Sequence, residues 1–222
     1  VVELQVEPTP RWYRVPLSGD RVDVVNNVGS ELRADGHGAD RGYLELDVGQ
    51  FDVPAHVFAW CGASVLLSTR YLRSVGLFDE RLFLYYEDFD LSWKGQFRGW
   101  RYRFVPESVV RHVHSATADE ASATTHFYKE RNYLLTLTRH APAVLAARGV
   151  LSHVIVTGSY ARRDLLGPIV RGGRPRPEIV RRRVRAEVAF ARLVPSSLVS
   201  RWKVGASAAA RRAVVRRWAV RA

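Results

Sequence analysis

The chain has 222 residues, 47% of them hydrophobic, with six Trp, nine Tyr and nine Phe, which is enough for a sizeable core and excludes wholesale disorder. Its one cysteine, Cys61, excludes an intramolecular disulfide, argues against a cysteine-based zinc site and suits a reducing compartment. The net charge of +12 is uneven: residues 171–222 hold fifteen Lys and Arg against Glu178 and Glu187, so a near-neutral body carries a basic C-terminal region.

Methionine is absent even at position 1, and the sequence is expected to begin inside a longer polypeptide. Residues 1–10 carry acids and prolines instead of the basic end and apolar run of a signal peptide. Turn chemistry dominates residues 1–50, with Pro8, Pro10 and Pro16, then Asn26-Asn27-Val28-Gly29 and Asp35-Gly36-His37-Gly38, and short extended pieces such as 22–25 between them. Residues 58–67 read as a buried strand in which Gly62 marks a close backbone approach. A short helix is predicted over 69–75, ended by Gly76. Phe89, Trp93 and Phe97 stand at i, i+4 and i+8 and predict a helix over about 89–98 that stops at Gly99. Trp100, Tyr102 and Phe104 alternate with Arg101 and Arg103, a strand closed by Pro106. A further strand is expected over 109–114 and a helix over about 125–139.

Pro142 and the Gly172-Gly173-Arg174-Pro175-Arg176-Pro177 linker mark the change to an arginine-rich helical region. There Ile179, Val180, Val184, Val188 and Ala191 form one apolar face, and Val214, Val215 and Trp218 repeat the design. No segment reaches the roughly 18 uninterrupted apolar residues of a membrane span; the best, 141–156, is broken by Pro142, Arg148 and His153.

The most informative stretch is 78–94, where Glu87, Asp88 and Asp90 follow the run Phe83-Leu84-Tyr85-Tyr86. Acids this close repel one another unless a cation, a helix N-terminus or a chemical task holds them. As helix residues, Glu87 and Asp88 would complement the macrodipole, and Asp90 and Lys94 would form an i, i+4 pair. Against that local reading, the apolar run would desolvate a carboxylate and raise its proton affinity, as a general base requires. His112 and His114 follow about twenty residues later at a strand end, where they could share a cation with carboxylates. Strand alternation puts both on one face, so spacing alone does not separate them.

Trp60-Cys61-Gly62-Ala63, Val75-Gly76-Leu77-Phe78-Asp79-Glu80, Tyr86-Glu87-Asp88-Phe89-Asp90-Leu91 and Pro106 through His112-Val113-His114-Ser115 together resemble the second half of a family 2 glycosyltransferase. The likeness is to the bacterial, rhamnosyltransferase-like branch that builds cell-envelope polysaccharide, and it runs in order over about 26–139. It implies an α/β fold: an incomplete GT-A portion (a Rossmann-like mixed sheet) over 1–140, followed by a basic helical extension over 141–222. It also implies inverting transfer from a nucleotide-sugar donor to a glycan or lipid-linked acceptor, with Asp88 as general base. Glu87, Asp90, Trp60, Gly62, Ala63, Asp79 and Glu80 would lie on the acceptor side or position it. His112 would contribute to a divalent metal, Mg or Mn, at the diphosphate. Arg131-Asn132 matches a recurrent pair of the family, although a helix-surface reading serves it equally well.

The sequence departs from the family in having no upstream nucleotide-binding half ending in Asp-x-Asp, no glycine-rich phosphate loop, and Lys94 where Arg is usual. Such a portion is expected to bind nucleotide-sugar weakly in isolation. The basic region suits the anionic inner face of a plasma membrane, hence a cytoplasmic, peripheral location. Nucleic acid is the less favoured partner, since no stacking platform accompanies the charge. Two other functions fit the same residues: a metal-dependent phosphoesterase, and a non-catalytic nucleic-acid- or membrane-binding module.

Overall fold

The structure, a computed structural model, describes residues 2–6, 11–15, 23–111 and 122–220. Strands β1 (Val2–Val6) and β2 (Arg11–Val15) form an antiparallel hairpin. β3 (Ser30–Arg33) pairs antiparallel with β4 (Gly38–Asp40) across the Asp35-Gly36 turn, and β5 (Ala55–Val57) leads to α1 (Thr69–Val75). Helix α2 (Glu87–Gln96) is followed by β6 (Tyr102–Phe104), which pairs antiparallel with β5. The helices α3 (Ala123–His140) and α4 (Ala143–Ala161), a π-helical turn (Arg162–Leu166), α5 (Gly167–Val170), α6 (Glu178–Val204) and α7 (Ala208–Trp218) come next, before β7 (Ala219–Val220). The architecture is mixed α/β, as expected of a partial GT-A unit with a helical extension. Among the described residues one strand pair is parallel, β3 with β7.

Local chemistry explains most boundaries. Ser68 caps α1 by accepting from the Tyr71 N–H at 3.1 Å, and Gly76 ends it at φ 96° while donating to the Leu72 carbonyl. Ser122 and Ser207 cap α3 and α7 in the same way. The strand expected over 58–67 does not form: β5 ends before it at Val57, Ala59 makes one isolated bridge to Ser30, and the chain turns outward at Cys61. The first half of that stretch is buried (Phe58, Ala59, Trp60), whereas Val65 and Leu66 are exposed. An apolar run therefore marked the approach to the core but not its end. Residues 108–111 form no strand, and Val109 and Val110 are exposed; residues 112–114 lie outside the described residues.

Leu32, Phe58, Phe89, Trp93, Tyr133–Leu135, Leu137 and Phe190 make one core cluster, and Val57, Trp60, Tyr71, Val75, Leu91 and Tyr102 make another. Trp93 is fully buried between Phe58 and Phe89, which contributes ~2–3 kcal/mol. Packing bridges the division expected at residue 140, since Phe190 belongs to the first cluster and Trp218 lies edge-on to Phe58 at 6.2 Å.

The apolar face of α6 is rotated from expectation. Val180, Ala186, Phe190 and Ser197 are buried, while Val184 and Val188 are exposed. The cause lies on α3: Glu130 draws Arg182 and Arg183 into the helix interface at 3.3 and 3.1 Å. Other tail arginines also turn inward. Arg201 donates to the carbonyls of Thr138 and Ala141, and Arg211 to those of Arg139 and His140, satisfying the open C-terminus of α3.

Candidate active site

The chain entering α2 sits in the left-handed region at Phe83, Tyr85 and Tyr86, with φ of 60°, 63° and 71°. None is Gly or Asn, and each such residue costs on the order of 1 kcal/mol. Two neighbours on α3 hold the loop there. Asn132 Nδ2 donates to the carbonyls of Leu82, Leu84 and Tyr85 at 2.7–2.8 Å. Arg131 Nη2 donates to those of Arg81 and Leu82 at 2.7 and 3.1 Å, and its Nε to Asn132 Oδ1 at 2.9 Å. Both side chains are buried, so the helix-surface reading of this pair gives way to a loop clamp. The strained loop delivers Tyr86 as the N-cap of α2, and Glu87 and Asp88 open its first turn.

Asp88 is held by main-chain amides alone. Its Oδ2 accepts from the Gly62 N–H at 2.9 Å and its Oδ1 from the Phe89 N–H at 2.7 Å. Burial raises its proton affinity; the amide bonds oppose this in part, and the Asp40 charge on β4 adds to it. Glu87 beside it is pushed up to about 7 by burial and by the Asp88 charge, and its Oε2 is buried without a hydrogen-bond partner. Burial also raises the Cys61 thiol to about 11, so this cysteine is not an activated nucleophile. A Cβ on Gly62 would meet Asp88 at 3.6 Å, an ordinary contact. The close approach read from this glycine is thus real, but its amide carries it, not the missing side chain.

Two residues further on, Asp90 has the opposite surroundings. Lys94 is not its ion-pair partner. Arg139 Nη1 lies 3.1 Å and His140 Nε2 2.9 Å from Asp90 Oδ1. Burial alone would raise this carboxyl, yet the His140 and Arg139 contacts more than offset it and hold it at about 2. Asp79 belongs to the same network, bonded to Arg81 Nε at 2.8 Å and paired with Arg139 Nη2 at 3.0 Å. These two acids tie the loop and α2 to the end of α3.

The remaining expected residues are scattered around these two groups. Trp60 is buried, its main-chain N–H 3.4 Å from Ser92 Oγ on α2, with Phe78 edge-on at 6.0 Å. Ala63 and Glu80 are exposed. His112 lies outside the described residues. Among the described residues no group of three or more His, Cys, Asp and Glu side chains could hold a metal ion, so these residues by themselves do not fit the expected Mg or Mn. Sequence reading missed Asp40, Arg139 and His140. Their only signal was position, at a strand end and at the basic end of a helix.

The profile of the glycosyl transferase family group 2 matches residues 23–161. The N-acetylglucosaminyl-diphospho-decaprenol L-rhamnosyltransferases of two Mycobacterium tuberculosis strains, CDC 1551 / Oshkosh and H37Rv, are each 37% identical to the chain over 114 residues. The match covers 46% of this chain and 37% of each relative. No solved structure matches.

Proposed function

The chain belongs to the glycosyl transferase family group 2, and on that footing we propose that it takes part in transferring a sugar from a nucleotide-sugar donor to an acceptor hydroxyl, with Asp88 as the general base. The observation that supports this most is the environment of Asp88: desolvated, raised in proton affinity, and oriented by amides that leave carboxylate lone pairs for an incoming hydroxyl. A sugar hydroxyl is a poor nucleophile near neutral pH, and a base of raised pKa removes its proton as the bond to the anomeric carbon forms. Attack from the face opposite the leaving nucleoside diphosphate inverts that carbon. The Gly62 amide fixes the carboxylate, and the Asn132 clamp fixes the helix turn that carries it.

The acceptor in this proposal belongs to the chemical class named for the relatives, a sugar on a polyprenyl diphosphate, and the setting is cell-envelope glycan synthesis. His112 is the residue expected to hold a divalent metal, which would supply a counter-charge for the leaving diphosphate.

The membrane contact is proposed on a different surface from the one expected. The continuous helix of Ala143–Val170 is long and apolar enough to cross a membrane, and little of it is buried. The interruptions at Arg148 and His153 therefore do not break the helix. One face packs on α6, where His153 and Thr157 both bond Glu187. The other exposes Val144, Leu151, Ile155, Leu166 and Ile169, with Arg148, Arg162 and Arg163 exposed beside them. An apolar groove of about 460 Å³ lies along this helix, lined by Thr138, Ala146, Ala147, Val150, Leu151 and Val154. An apolar stripe with flanking arginines matches an anionic bilayer surface, with the enzyme at the inner face of the plasma membrane.

The test of the base is turnover. In the full-length enzyme Asp88→Asn should lower transfer by roughly a thousandfold or more, with donor binding nearly unchanged. Turnover like that of the wild type would remove Asp88 from this role.

A further inference from the structure

A cleft of about 650 Å³ opens between the α1–α2 loop, α2, the end of α3 and the end of α6. Five permanent cations line it, Arg81, Lys94, Arg98, Arg139 and Lys203, against the carboxylates of Asp79, Glu80 and Asp90. Two of those carboxylates are already matched, Asp79 by Arg81 and Arg139, and Asp90 by Arg139 and His140. Arg98 is spent on a main-chain carbonyl, that of Ser74. Among the described residues Lys94 and Lys203 have no ion-pair partner, and they reach the cleft from different helices. Lys94 is half-buried, and that burial disfavours its ammonium, a cost that the nearby Asp90 and Asp79 charges offset only in part.

The walls also hold an unmet donor: Arg139 is 1% exposed, and its Nε is buried without a hydrogen-bond partner. A buried polar group without a partner costs about 1–3 kcal/mol and implies a missing water or ion. Phe78 on the cleft rim packs edge-on against Trp60, two residues before the Gly62 amide that bonds Asp88.

We propose that this cleft binds the diphosphate group of a substrate, with Lys94 and Lys203 as its charge partners. A diphosphate brings several acceptor oxygens and at least two negative charges, which suits cations arriving from two helices. It is carried either on a nucleoside or on a polyprenyl lipid, and that choice of source rests on the glycosyl-transfer reading.

Titration calorimetry of the 222-residue chain with inorganic diphosphate tests the site. One saturable event is expected, weakened roughly tenfold in Lys94→Gln/Lys203→Gln. Arg216→Gln/Arg217→Gln, which removes the same charge from the exposed side of α7, should leave it unchanged. The surface change Lys203→Gln alone should weaken it roughly threefold without disturbing the fold. Absence of saturable binding, or equal losses in the two double variants, overturns the proposal. Displacement by geranyl diphosphate but not by UDP assigns the lipid source, the reverse assigns the nucleotide, and displacement by neither overturns a substrate role. Asp88→Asn should bind diphosphate like the wild type, so a failure of the base reading stays separate from a failure of the cleft.

Discussion

Asp88 and Asp90 are two residues apart on one helix, yet their surroundings give them different work. Asp88 meets only backbone amides and a neighbouring like charge, so its proton affinity rises. Asp90 is closed in by Arg139 and His140, so its proton affinity falls to about 2. A carboxylate paired with a guanidinium and an imidazole loses its basicity to them, whereas one held by neutral amides in a desolvated setting keeps it. The pattern Glu-Asp-x-Asp thus combines a carboxylate of raised proton affinity, the proposed base, with one held in an ion-pair network, and environment, not residue type, separates them.

The sharpest way to break this division is to exchange the readouts. Arg139→Leu should destabilise the fold by about 3 kcal/mol in chemical denaturation, because it leaves the buried Asp90 carboxylate with His140 alone and takes one of two guanidinium partners from Asp79. Asp88→Asn should leave stability within about 1 kcal/mol of the wild type or raise it, since it removes a desolvated charge. A large stability loss from Asp88→Asn, or a small one from Arg139→Leu, would reverse the assignment of the two groups.

The clamp comes next. Asn132→Ala takes the donor from the Leu84 and Tyr85 carbonyls, while that of Leu82 keeps Arg131, and should cost about 2–3 kcal/mol. It should also lower kcat more than it raises KM, because the loop positions Asp88, which acts in the chemical step of the proposal. A purely structural role would lower stability and leave kcat intact.

Smaller effects follow from pH. The folded pKa of Asp90, about 2, lies below its ordinary value of 3.8, so its contribution of about 2 kcal/mol is present above pH 4 and is lost as pH falls toward 2. Glu87 has the opposite sign. Its pKa is raised from 4.5 to about 7, so the fold loses stability as pH rises through that window. Glu87→Gln should therefore stabilise by on the order of 1 kcal/mol at pH 8 and by almost nothing at pH 4, as thermal unfolding at the two pH values would reveal. Gly62→Ala should be the mildest change, within about 1 kcal/mol in stability, because the added Cβ finds an ordinary contact.

How far the sequence could be read follows from the range of the forces involved. Helix α1 was legible to the residue, since Ser68 and Gly76 cap it locally. The Phe89–Trp93 stripe found α2 to within two residues, and α3 was found nearly as well. Asp90 was misassigned to Lys94 because i, i+4 pairing is a surface rule, and burial let partners some fifty residues away win. The left-handed turn at Phe83, Tyr85 and Tyr86 carries no glycine to announce it, because Asn132 on α3 imposes it. Tail arginines looked like a membrane-facing surface, yet Arg183, Arg201 and Arg211 serve Glu130 and the C-terminus of α3. Family likeness located Asp88; only packing gave the reason for its chemistry.

The most direct test is a carboxyl ¹³C NMR titration that follows Asp88 and Asp90 in the same sample. Asp88 should protonate above the ordinary aspartate value and Asp90 near pH 2, with Asp88→Asn leaving the Asp90 curve in place. Coincident curves for the two, or Asp90 titrating above Asp88, would contradict the separation of a base from a structural acid on one helix.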